Sequence, residues 1–122
     1  MTASDVSLLL AAGLAAGLDL DEVALQDRVE AVLGAAGVAF TREAVLSDGH
    51  GRVDFLVGGV GVEVKIKHGT NALLRQLSRY TAAPEVDALV VVTTSRRLRN
   101  GVPGRLGGVE VFVVFVETAW GG

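Results

Sequence analysis

Three ionisable residues interrupt two apolar stretches in the middle of this 122-residue chain. Asp54 stands inside Val53-Asp54-Phe55-Leu56-Val57, and Glu63 and Lys65 alternate with Val62, Val64 and Ile66. Residues two apart on a strand share a face about 6–7 Å from one another, so Glu63 and Lys65 point the same way. Gly58-Gly59 is a tight-turn signal that folds the two stretches into a hairpin, in which Asp54 and Glu63 converge. Two carboxylates that close repel unless one is protonated or a cation lies between them. Hard oxygen donors suit Mg²⁺ or Mn²⁺, which bind one or two carboxylates together with water and substrate phosphates. Lys65, beside the same point, is placed to orient or polarise a metal-bound water and to stabilise charge developing on a phosphate.

A Glu-X-Lys triplet alone is weak. With nothing else, Glu63, Lys65 and Lys67 read as the wet face of a half-exposed strand. Two other features shift the balance. Glu22 precedes Leu25 by three residues and Val29 by seven, which puts it on the apolar stripe of its helix, where a carboxylate needs a partner or a metal. The alternative is a first-turn glutamate that interacts with the helix dipole. Gln76 and Tyr80, four apart, share one face of the helix that follows the Glu-X-Lys strand.

The elements that must position these residues follow from periodicity and turn chemistry. Ser4-Asp5 is expected to cap a helix through Leu8–Leu18 with Gly17 near its end, and Asp19 or Asp21 to cap a second ending at Gly37. Val38–Leu46, Arg52–Val57 and Val60–Lys67 read as strands, and Ser47-Asp48-Gly49-His50-Gly51 as the first turn between them. Gly69-Thr70-Asn71 opens a helix that ends before Pro84. Val86–Thr94 is an apolar strand, Ser95–Gly108 an Arg/Gly/Pro loop, and a last strand ends near Glu117. The expectation is one α/β domain over 1–122: an N-terminal helix in 1–18, a core in 19–94 and a basic loop with an extra strand in 95–122.

Composition narrows the classes further. With no cysteine, there is no disulfide framework, thiolate metal site or cysteine nucleophile. Mean hydropathy is +0.47. The apolar run Val6–Leu18 nevertheless falls short of the roughly 20 residues a membrane helix needs, and Asp5 stands where a signal peptide wants positive charge. The expectation is a cytoplasmic protein without a membrane partner. The net charge of −3 hides an asymmetry: residues 1–50 balance at −6 and residues 51–105 at +5. Such a basic half is the local footprint a phosphate backbone needs.

In order and placement, Asp54 followed by Glu63-Val64-Lys65 on a strand–turn–strand resembles the PD-(D/E)XK nuclease superfamily, whose restriction-endonuclease-like core is αβββαβ. Gln76-Leu77-Ser78-Arg79-Tyr80 is similar to the QxxxY motif of its RecB-like and λ-exonuclease-type members. The likeness spans roughly residues 20–94. It departs at Val53, where the pattern has proline before the aspartate, a position that varies across the superfamily. The resemblance implies a Mg²⁺- or Mn²⁺-dependent DNA nuclease, endo- or exonucleolytic, of the kind used in repair, recombination or junction resolution. It implies that Asp54, Glu63 and the Val64 carbonyl ligate metal, with Glu22 doing so directly or through water. Lys65 would position the attacking water, Gln76 would orient the site, and Tyr80 would contact phosphate or a base. The competing class is a non-catalytic DNA-binding or assembly module of the same fold.

Lys67, Arg75, Arg79, Arg96, Arg97 and Arg99 are the expected DNA contacts, the last three on a flexible loop. Glu43 is a further candidate whose first reading is a strand-face charge; His50 reads as a solvated turn residue, and His68 as a surface residue with a phosphate contact as its alternative. No HNH, GIY-YIG, GxSxG or phosphate-loop pattern is present. The apolar Leu8–Leu18 helix and Val109–Val116 strand lie outside the minimal core, which predicts a homodimer that buries them.

Overall fold

A computed structural model describes residues 1–14 and 21–118. Its elements run α1 (Ala3–Gly13), α2 (Glu22–Ala35), β1 (Thr41–Val45), β2 (Arg52–Val57), β3 (Val60–Val64), α3 (Thr70–Thr81), β4 (Ala88–Thr93), α4 (Arg96–Gly101), β5 (Arg105–Leu106) and β6 (Val109–Phe115). The six strands form one mixed sheet in the order β1-β2-β3-β4-β6-β5. β1, β2 and β3 pair antiparallel, β3 runs parallel to β4 and β4 to β6, and the short β5 closes the edge antiparallel. The fold is thus α/β, with helices on both faces of a six-stranded mixed sheet.

Each face of the sheet carries its own core. On one, Val6 and Leu10 of α1 and Leu25, Val29 and Leu33 of α2 pack against Phe55, Val62, Val64, Val90 and Val92. On the other, Leu73, Leu77 and Tyr80 of α3 and Leu98 of α4 pack against Leu89, Val91 and Val111. β3 and β4 are therefore covered on both sides, which accounts for their nearly continuous apolar sequences.

Several elements differ from expectation for identifiable reasons. α1 is capped by Thr2, whose hydroxyl accepts the Asp5 N–H while Asp5 accepts the Thr2 N–H, so Asp5 acts from the third helical position of a capping box. The helix ends at Gly13, Leu14 being its extended C-cap. Gly17 and Asp19 lie outside the described residues; Asp21 is the cap of α2. β1 is shorter than Val38–Leu46, and β3 stops at Val64. The segment expected as a loop holds α4, with the Ser95 hydroxyl accepting the Leu98 N–H and Leu98 buried beneath it. One buried residue in six leaves no periodicity to read.

The described parts of the two segments that predicted a dimer pack in part within the chain, and residues 15–18 lie outside the described residues. α1 packs onto β4 and β6, burying Val6 and Leu10, and Val111, Val114 and Val116 are buried. Part of the apolar surface from which a partner copy was inferred is thus covered, while Leu8 stays exposed. Among the described residues no helix is long and apolar enough to cross a membrane.

Candidate functional site

The antiparallel register pairs Phe55 with Val62, Leu56 with Gly61 and Val57 with Val60. One step further sets Asp54 opposite Glu63, and there the regular ladder stops. The Asp54 N–H donates 3.2 Å to Glu63 Oε1, and the Val64 N–H donates 2.8 Å to Asp54 Oδ2. Carboxylates have taken over backbone donors, so the two acids are locked together where β2 and β3 part. The expected convergence of Asp54 and Glu63 is what the hairpin produces.

The other side of β2 shows how Asp54 is released. β1 and β2 pair at Arg42–Phe55 and Ala44–Val53, but the intervening Glu43–Asp54 position is unpaired. Glu43 has φ +56°, a left-handed conformation rare outside glycine. Across this point both strands change faces. Phe40, Phe55 and Val57 belong to the core under α1 and α2, whereas Ala44, Leu46 and Val53 belong to the core under α3. The hairpin turns over at Glu43 and Asp54, and strain of this kind concentrates at functional sites. A single Glu carries no local signal for left-handed backbone, so sequence pointed to Glu43 at most as a strand-face charge or a minor contributor to the site.

Glu63 is 1% exposed, so the wet-strand alternative fails. Burial, then the charge of Asp54, pushes its carboxyl up to about 7, with Lys65 opposing. Burial also raises Asp54, which accepts the Val64 N–H and faces the charges of Lys65, Glu22 and Glu43. Lys65 follows the end of β3, its N–H donating 3.0 Å to the Val92 carbonyl. Its ammonium lies 3.4 Å from Glu63 Oε2 and 3.9 Å from Glu22 Oε2.

Glu22 is the first residue of α2, its side chain one-third exposed rather than core-facing. Its Oε1 accepts the Ile66 N–H at 3.2 Å. It therefore ties the helix start to the chain leaving β3 and holds Lys65, and its charge also reaches Asp54.

Tyr80 is fully buried, and its hydroxyl donates to the Arg52 carbonyl at 2.7 Å and reaches Glu63 Oε1 at 3.3 Å. Burial, then the Glu63 charge, holds the phenol far above its ordinary range. With no exposed surface it cannot touch phosphate or base; it positions Glu63. Gln76 lies one turn earlier on α3, and its Oε1 is buried with no hydrogen-bond partner among the described residues.

The expected DNA contacts are not equivalent. Arg75 and Arg79 line an open groove of about 800 Å³ along α3, and Lys67, Arg96 and Arg97 line another of about 550 Å³ at the ends of β3 and β4. Arg99 is committed elsewhere, its guanidinium stacked 4.5 Å over the Phe115 ring. His68, read first as a surface residue, lines the second groove.

Among the described residues, no three His, Cys, Asp or Glu side chains form a ready cation cage. The donor set is narrower: Asp54 Oδ1, which accepts no hydrogen bond among the described residues, and Glu63 Oε2, which is 3.4 Å from the Lys65 ammonium. Two hard oxygens suit an ion that retains most of its water, as Mg²⁺ does, and do not suit one that requires an all-protein shell.

No known family, curated protein or solved structure matches this chain.

Proposed function

We infer that the protein is a divalent-metal-dependent phosphodiesterase acting on DNA, with a restriction-endonuclease-like core of the PD-(D/E)XK type. The observation that carries this reading is the meeting of Asp54, Glu63 and Lys65 at the point where the β2–β3 ladder stops. A structural strand gains nothing from burying a glutamate beside an aspartate, because burial and like charge both penalise ionisation. A hydrolytic site uses that arrangement, since a cation relieves the penalty and the acids become its ligands.

Asp54, Glu63 and the Val64 carbonyl are the proposed ligands for Mg²⁺ or Mn²⁺. Such an ion supplies a more acidic water and neutralises phosphate charge. Lys65 is the cation of the site, 3.4 Å from Glu63, and would orient the water and stabilise the charge developing on the phosphate. Tyr80 fixes Glu63 from beneath, and Glu22 holds the chain that carries Lys65. Gln76, one turn before Tyr80 on α3, offers a spare acceptor.

Incubation of linear, nicked, branched and single-stranded DNA with the protein and Mg²⁺ or Mn²⁺ tests the reading. Cleavage of at least one substrate, abolished by a chelator, is expected. DNA binding without any cleavage would instead assign a non-catalytic module.

A further inference from the structure

We propose that the cavity between the β3–α3 and β4–α4 turns is a phosphate subsite, which takes a second phosphate of the strand cleaved at Asp54 and Glu63. β3 and β4 are parallel neighbours, so both chains leave the sheet at the same edge, where open α/β sheets receive ligands. The cavity of about 550 Å³ is lined by Lys67, His68 and Gly69 from one turn and Ser95, Arg96 and Arg97 from the other.

The charge is one-sided. Among the described residues Lys67, Arg96 and Arg97 make no ion pair, whereas Arg42, Arg52 and Lys65 each have carboxylate partners. Three cations around one concavity repel one another, and an anion between them removes that cost. No side chain caps the first turn of α3, whose N-cap is Gly69, so its N–H dipoles add to the same field.

The walls are also built to hold their places. Ile66, which also lines the cavity, is bonded through its N–H to Glu22, which in turn contacts Lys65. On the far wall Thr93 Oγ1 accepts the Ser95 N–H at 3.0 Å, and Ser95 caps α4. Gly101 lets α4 lie against α3: a Cβ there would stand 2.6 Å from Thr70 Cγ2. The cavity is thereby coupled to the Lys65 end of the site, two residues from Lys67.

The subsite rests on the nuclease reading for the identity of its strand, but its test does not require cleavage. Anisotropy of a labelled oligonucleotide in EDTA, across a salt series, compares the wild type with a Lys67→Ala/Arg96→Ala/Arg97→Ala variant, thermal melting checking that the exposed substitutions leave the fold intact. The expected result is at least about a tenfold loss of affinity and a log–log salt slope shallower by about one per charge removed. Oligonucleotides ending in phosphate or hydroxyl locate the group: tighter binding of the phosphorylated end assigns a terminal monoester, and equal binding an internal diester. Unchanged affinity and slope in the triple variant overturn the subsite. Wild type that binds with the full slope and never cleaves overturns the nuclease reading and leaves the subsite standing.

Discussion

The hydroxyl of Tyr80 sits 2.7 Å from the Arg52 carbonyl and 3.3 Å from Glu63 Oε1, joining α3, the start of β2 and the buried acid of β3 at one atom. Tyr80→Phe keeps the ring packing and removes that atom. An unsatisfied buried polar group costs about 1–3 kcal/mol, so a stability loss in this range is expected by denaturant titration. The DNA-cleavage rate should fall while DNA affinity holds. Lost affinity with a normal rate would mean that Tyr80 meets the substrate after all.

Glu63 gives the metal-free protein a definite pH dependence. Its folded pKa, about 7, lies above the ordinary 4.5. Its contribution to stability is therefore complete below about pH 4.5 and is lost as pH rises through about 7, a span worth about 3 kcal/mol. Thermal melts in EDTA from pH 5 to pH 8 should show the wild type losing stability relative to Glu63→Gln. Added Mg²⁺ should restore more at pH 8 than at pH 5, because it favours the ionised pair. Parallel pH curves for the two proteins would contradict this.

Gln76 keeps a buried acceptor without a partner. Gln76→Met preserves length and removes the orphan oxygen, so the metal-free protein should gain about 1 kcal/mol. Activity should fall, because the acceptor is retained for a group that arrives with substrate or cation. A loss of stability in Gln76→Met would show that the oxygen is not orphaned in solution.

The left-handed Glu43 separates backbone from side-chain roles. Glu43→Gly adopts φ +56° freely and should be neutral to about 1 kcal/mol stabilising, with activity retained. Glu43→Val cannot, and should lose about 1–2 kcal/mol and most activity as Asp54 moves. Inactive but stable Glu43→Gly would assign the carboxylate itself a role.

Much of this was legible in the chain. Gly58-Gly59 and the flanking alternation put Asp54 against Glu63, and the elements from α2 to β4 appear in the expected order. What sequence could not disclose were effects of three-dimensional closure. A clean polar–apolar alternation looked half-wet at Glu63, yet helices cover both faces of β3. Tyr80 looked available to substrate until α3 lay flat on the sheet. α1 and β6 looked like spare apolar surface because each covers the other. α4 is too short for periodicity, and the turnover at Glu43 depends on the pairing of two strands rather than on either alone.

The central claim is that Asp54, Glu63 and Lys65 together hydrolyse DNA with a divalent cation. The most direct measurement is the Mg²⁺-dependent cleavage rate of the wild type beside Lys65→Ala and Asp54→Ala, at matched protein fold and DNA occupancy. Loss of a charge-stabilising group costs about 10²–10³-fold, so both variants should fall by at least that much. Cleavage that survives Lys65→Ala at the wild-type rate would contradict the assignment of the site.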